Sequence, residues 1–166
     1  MENYMAITNC CICNHPCPIQ CSSLSSCQNN VLNPVLTVPF AFFSNTSTQT
    51  VVQNGTIALN LIESRGSEIT PSTEVTGAIT LSAGTYQLSY LAGGIVPSGG
   101  TLSIKLRLDG VDVEDSILTV TQTADTFANL TQSIIITVLQ STTLELVNNS
   151  TQDTTYSIAS ISLAGL

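Results

Sequence analysis

Beyond residue 36 the chain alternates apolar and polar positions with a period of two, segment after segment. Thr101 to Leu108 is the clearest case. Leu102, Ile104, Leu106 and Leu108 fall on one side, and Thr101, Ser103, Lys105 and Arg107 on the other. Successive strand side chains point to opposite faces, so this pattern predicts a half-buried strand with Lys105 and Arg107 turned to water. Asp109-Gly110 follows, a pair that tolerates the positive φ of a two-residue hairpin turn, and Val111 to Glu114 is predicted as the return strand. The same reading predicts strands at Val38–Ser44, Thr56–Ile62, Thr76–Leu81, Thr85–Leu91, Ile117–Thr123, Phe127–Leu139, Thr143–Val147 and Tyr156–Leu163. Turns are expected at Ala83-Gly84 and at Asn148-Asn149-Ser150, and a hairpin loop between Gly93-Gly94 and Gly99-Gly100.

About nine or ten short strands, with no helical period and no fixed repeat, point to an all-β sandwich or barrel. A jelly roll uses about eight strands in two sheets, which fits the count. Ile134, Ile135 and Ile136 are consecutive, so both faces of their strand read as apolar. A strand apolar on both faces implies a second buried surface beyond the core, here expected to be a subunit interface, with an internal β-bulge or a covering loop as the alternative.

Composition sharpens this picture. Charged residues make up only 8% of the 166, and the net charge is −8. Arg65, Lys105 and Arg107 are the only cations. Binding to nucleic acid or to an anionic membrane surface needs many more, so neither is an expected partner. No stretch reaches the roughly 18 apolar residues of a membrane span. The first residues carry neither a basic start nor an apolar run, so export by a secretory leader is not expected. Three cations also offer a trypsin-like protease only three cut sites, all within the strand-rich region, which suits life outside a cell.

Residues 1–36 read as a separate extended arm preceding a 37–166 domain. The arm holds Cys10, Cys11, Cys13, Cys17, Cys21 and Cys27, all the cysteines of the chain, and its single histidine, His15. Zinc takes Cys and His at four tetrahedral positions, and Cys13, His15, Cys17 and Cys21 offer four. The paired C-x2-C spacing is missing, however, and iron–sulfur spacings are also absent. Adjacent Cys10 and Cys11 seldom bridge each other, which suits bonds to different chains. The favoured expectation is therefore cross-links between subunits, with local bridges or free thiols as alternatives. At about 3.3 Å per residue such an arm spans on the order of 100 Å, enough to reach past a small domain.

Enzyme chemistry is not expected, and neither is a cofactor. The lone histidine lies in the arm, away in sequence from any carboxylate of the strand-rich region, so no catalytic triad is fixed. Asp109, Asp112, Glu114 and Asp115 cluster around a hairpin but match no calcium loop. Asn-X-Ser/Thr sequons at Asn45, Asn54, Asn129, Asn148 and Asn149 read as chance in so Thr-rich a chain.

Three stretches in order carry a family likeness: Leu81-Ser-Ala-Gly-Thr-Tyr-Gln-Leu-Ser-Tyr90, Gly100-Thr-Leu-Ser-Ile-Lys-Leu-Arg-Leu-Asp-Gly110 and Leu144-Glu-Leu-Val-Asn-Asn-Ser150. Over about residues 38–166 the sequence resembles the C-terminal domain of BclA-type spore-surface glycoproteins. The resemblance implies a jelly roll like that of tumour necrosis factor and the complement heads, and a tight homotrimer on the surface of an endospore. Ile134, Ile135, Ile136, Tyr86 and Tyr90 are the candidate trimer contacts. The collagen-like stalk of that family is missing here. The short cysteine arm favours instead a subunit of an appendage fibre such as the F-type endospore appendages, with anchoring and tip proteins as further partners. The alternative is a trimeric head that binds a receptor or glycan. Aromatic residues are only 5% and Trp is absent, which disfavours sugar stacking.

Overall fold

The computed structural model describes residues 38–166. The six cysteines, His15 and the expected connector lie outside the described residues. Twelve strands follow in order: β1 (Phe40–Asn45), β2 (Gln49–Val51), β3 (Asn60–Arg65), β4 (Ile69–Pro71), β5 (Ile79–Leu81), β6 (Gly84–Ile95), β7 (Gly100–Leu108), β8 (Val111–Asp112), β9 (Leu118–Gln122), β10 (Phe127–Val138), β11 (Thr142–Asn148) and β12 (Thr154–Gly165). One 3-10 turn, Glu114–Ser116, lies between β8 and β9. Among the described residues no helix is long and apolar enough to cross a membrane.

The strands form two antiparallel sheets. The first runs β10-β6-β12-β1-β3, with β2 pairing β12 beyond the end of β1. The second runs β4-β5-β11-β7-β8, with β9 pairing β7 beyond β8. Apart from the β4–β5 and β7–β8 hairpins, strands that neighbour in a sheet are not consecutive in the chain, the pattern of a jelly-roll sandwich. Phe43, Tyr86, Leu88, Tyr90, Ile161 and Leu163 face inward from the first sheet and meet Ile79, Leu81, Leu102, Ile104, Leu106, Leu144 and Leu146 from the second.

Local chemistry explains several elements. Asp109 and Gly110 take φ of 47° and 81°, so the expected tight turn forms and Leu108 pairs with Val111. β12 needs a bulge. Tyr156 is fully buried, and so is Ile161, although their numbers differ in parity. The register shift between Tyr156 and Ile158 lets both face the core and turns Ile158 outward.

Three expectations change. The loop expected to close a hairpin instead passes between the sheets, since β6 lies in the first and β7 in the second; Gly93 and Gly94 are part of β6, and the turn is Val96–Gly99. A Cβ on Gly93 would stand 2.1 Å from Asn129 Oδ1 and 2.9 Å from Ile158 Cγ2, so only glycine lets these side chains close over β6. The short strands β2 and β4 were not foreseen, since three residues are too few to show alternation. The polar side of β7 is not solvated: Ser103 and Lys105 are 3% and 6% exposed.

The interior carries hydroxyls and amides as well as hydrocarbon, and each finds a partner. Tyr86 donates to Ser82 O at 2.9 Å, and Tyr90 to Ser116 O at 2.6 Å and Gln132 Oε1 at 2.7 Å. Asn148 is fully buried. Its Nδ2 donates to Val51 O at 2.8 Å, Val52 O at 3.2 Å and Gln152 O at 3.2 Å, and its Oδ1 accepts from Tyr156 at 2.9 Å and Ser150 N at 3.0 Å. Among the described residues no buried side-chain polar atom lacks a partner.

Truncating Asn148 removes five buried hydrogen bonds at once and leaves Ser150 N without its acceptor, although Tyr156 Oη keeps Ser103 O and Val52 O keeps Gly55 N. Asn148→Ala is expected to cost about 3 kcal/mol, read as a lower urea midpoint with the same slope. Burial pushes the Tyr90 and Tyr156 hydroxyls up to about 12. An unfolded tyrosine ionises near about 10, so the unfolded chain gives up these protons first. Stability should hold below pH about 10 and fall as pH rises from there through about 12. A urea midpoint that stays constant across that interval would contradict this.

Candidate assembly surface

The outer face of the first sheet is built from every second residue of β10, β6, β12 and β1. The registers align them in rows across the sheet. One row is Ile135–Gln87–Ala164–Phe40, the next Ser133–Ser89–Ser162–Phe42, the next Thr131–Leu91–Ser160–Ser44. Asn129, Gly93 and Ile158 make a shorter fourth row. None of the four strands contains an Asp, Glu, Lys or Arg. The nearest charges on this sheet are Glu63 and Arg65 on the edge strand β3.

The face is apolar in patches. Ile135 is 64% exposed and Phe127 49%, while Leu91, Phe40 and Phe42 are half-buried. A shallow open depression of about 370 Å3 lies among Gln87, Ser133, Ile134 and Ile135. The hydroxyls between the patches already bond one another: Ser89 with Ser133, and Thr85 with Thr137 at 3.0 Å. Hydroxyls paired in this way lose less when water is removed than hydroxyls that depend on it. Depletion of charge at the centre of a contact is what marks subunit interfaces.

The five residues expected at an interface divide. Ile135 lies on this face. Ile136 is buried at 7% exposure and Ile134 packs against the core, so β10 alternates in the ordinary way and only its middle isoleucine points out. Tyr86 and Tyr90, at 2% and 1% exposure, belong to the core and are not available to a partner. Sequence reading missed Leu91, Phe42, Ile158 and Phe127. The signal that would have found them is the absence of charge from four whole segments.

Charge gathers instead on the outer side of the second sheet. Glu145, Arg107 and Asp112 stand in register across β11, β7 and β8. Arg107 Nε lies 3.0 Å from Asp112 Oδ1, and Lys105 Nζ 2.6 Å from Asp112 Oδ2. Lys105 Nζ also donates to Asn54 Oδ1 at 3.3 Å. The acids around the 109–110 turn do not converge on a common point. Asp109 Oδ1 accepts from Thr143 N at 2.7 Å, while Asp112 serves the two cations. Among the described residues no three His, Cys, Asp or Glu side chains are grouped to hold a metal ion. Of the sequons, Asn148 is sealed in the interior.

No known family model matches the sequence, and no curated protein matches it. Solved structures do match its fold. The globular domain of a zebrafish complement 1qA protein superposes with a TM-score of 0.57 at 13% identity, covering 75% of this chain and 94% of that one. Murine APRIL at pH 5.0 gives 0.55 at 8% identity, over 78% and 99%. The PRD1 vertex protein P5 gives 0.51 at 16% identity, over 77% and 96%. Residues 38–166 therefore form a jelly roll of the tumour necrosis factor and complement-head kind.

The hydrogen bond from Lys105, then that from Arg107, holds the Asp112 carboxyl below its ordinary 3.8 despite some opposing desolvation. Such a group adds stability above that value and loses it as pH falls below. Asp112→Asn should therefore show a smaller acid-induced loss of stability below pH about 4 than the natural chain, in parallel urea titrations. Equal acid sensitivity would show that this carboxylate is not coupled to folding.

Proposed function

We propose that this chain is a structural subunit that self-associates as a homotrimer through the uncharged face of its first sheet. In this reading the trimers join into a fibre on the surface of a bacterial endospore, through the cysteine-rich arm of residues 1–36. The observation that carries the self-association is the charge-free face on a chain of net charge −8. Copies of so acidic a molecule repel, and that repulsion reaches about 8 Å at physiological salt. A face with no charge lets them approach closely. Four strands about 4.8 Å apart and up to about 35 Å long present roughly 600 Å2 in projection, comparable to the ~800 Å2 per partner of a standard interface.

The likeness to tumour necrosis factor and complement heads supports a trimer, and the three ordered motifs support the spore surface. The role is mechanical and needs no cofactor. Burial of apolar area at about 25 cal/mol per Å2 joins subunits, and disulfides from Cys10, Cys11, Cys13, Cys17, Cys21 and Cys27 secure the joints. Spore anchoring and tip proteins are the further partners in this reading.

Native mass spectrometry of the full chain should show trimers. Leu91→Glu combined with Ser162→Glu should return monomers with unchanged circular dichroism, because charge is then placed at the centre of the face. Electron microscopy should show fibres that shorten or separate when reductant is added. Monomers at all concentrations would overturn the assembly role. Isolated trimers indifferent to reductant would overturn the fibre and favour the receptor- or glycan-binding head.

A further inference from the structure

Lys105 is the only lysine of the chain. It sits in the middle of β7, 6% exposed, beside Val147, its fully buried register partner on β11. Its amine is placed between two side chains. On one side is the carboxylate of Asp112, 2.6 Å from Nζ. On the other is the carboxamide of Asn54, whose oxygen lies 3.3 Å from Nζ. Fifty-one positions separate Asn54 from Lys105 along the chain.

The carboxamide is held in place by its own backbone. Asn54 has a φ of 59°, a left-handed conformation uncommon outside glycine. Its N–H donates to Asn148 O at 2.8 Å, and its carbonyl accepts from Arg107 Nη1 at 3.4 Å. Gly55 O accepts from Asn148 N, and Ile57 N donates to Leu146 O, so residues 54–57 run along β11 like a further strand. The turn that carries Asn54 is thus fixed against the strand beside Lys105.

We infer that Lys105 and Asn54 form an intramolecular isopeptide bond, with Asp112 as the proton carrier. The Lys105 amine, after giving a proton to Asp112, attacks Asn54 Cγ. The new bond is Nζ–Cγ, and the bond that breaks is Cγ–Nδ2. Asp112 returns that proton to the departing nitrogen, which leaves as ammonia. The carboxylate then takes the second proton that Nζ must lose to become an amide N–H and passes it to the ammonia, which departs as ammonium. One protonated amine and one primary amide become one secondary amide and one ammonium, and no oxidant or co-reactant is required. The geometry favours this pairing over a Lys105–Asp112 amide. A carboxylate facing both Lys105 and Arg107 stays ionised, which makes it a poor electrophile, while its oxygen 2.6 Å from Nζ is within reach of the lysine proton. The reaction happens once per molecule, and fixed neighbours gain the advantage that intramolecular reactions have over encounters in solution. The product ties the 54–57 segment to β7 across β11, a covalent clamp within the domain that does not involve cysteine.

The test is the intact mass of the purified full-length chain, reduced and denatured. The expected mass is that of the sequence less one ammonia. Trypsin has sites only after Arg65, Lys105 and Arg107. It should fail to cut at the acylated Lys105 and should release a branched species joining 1–65 to 66–107. An Asn54-Gly55 succinimide also expels ammonia, but leaves Lys105 free, releases 66–105 as a separate peptide and opens in mild alkali. That result, or an unaltered mass with Lys105 open to amine-reactive labels, would overturn the inference. Lys105→Arg and Asn54→Ala should each restore the full mass. Asp112→Asn should slow the ammonia loss by about 100-fold or more. Because the natural chain is read directly, the outcome does not depend on the variants folding.

Discussion

The buried amide of Asn148 is the point on which this sandwich closes. It gathers carbonyls from Val51, Val52 and Gln152, and the hydroxyl of Tyr156, where strands of the two sheets come together. An amide in a low-dielectric interior is costly unless satisfied, so each of these groups must sit where the others place it. The backbone of the same residue bonds Asn54 and Gly55. One residue therefore sets both the path of the crossing between sheets and the position of the carboxamide beside Lys105.

The two outer faces have been given opposite chemistry. On the first sheet charge is absent from four adjoining strands, and hydroxyls bond hydroxyls. On the second, two of the three cations are gathered against Asp112 and Glu145. The bulge at β12 serves this division, since it keeps Tyr156 inside and brings Ile158 out onto the neutral face. An uncharged face is where a partner meets least electrostatic and desolvation resistance. A paired charge cluster is where the fold is fastened to itself.

The familiar motifs take on a structural meaning. Tyr86 and Tyr90 of the first motif are core residues whose hydroxyls bond Ser82, Ser116 and Gln132. Asn148 and Ser150 of the third build the closing network. These four residues mark the fold, whereas Gln87 and Ser89 of the first motif lie on the outer face of the same strand.

The sequence by itself determined what depends on neighbours along the chain. Alternation in Thr101–Leu108 determined that strand and its core face. Asp109-Gly110 determined its turn through the positive φ both residues accept. The missing charges along β6, β10 and β12 were equally legible. Only the tertiary structure decided what depends on residues far apart. Ile134 and Ile136 look equivalent to Ile135 until register turns one out and two in. Lys105 reads as a solvated strand position until the 52–57 turn folds over β11 and places Asn54 against it. A period of two reports which side of a strand is apolar. It carries no record of what another segment, fifty residues away, brings to the other side.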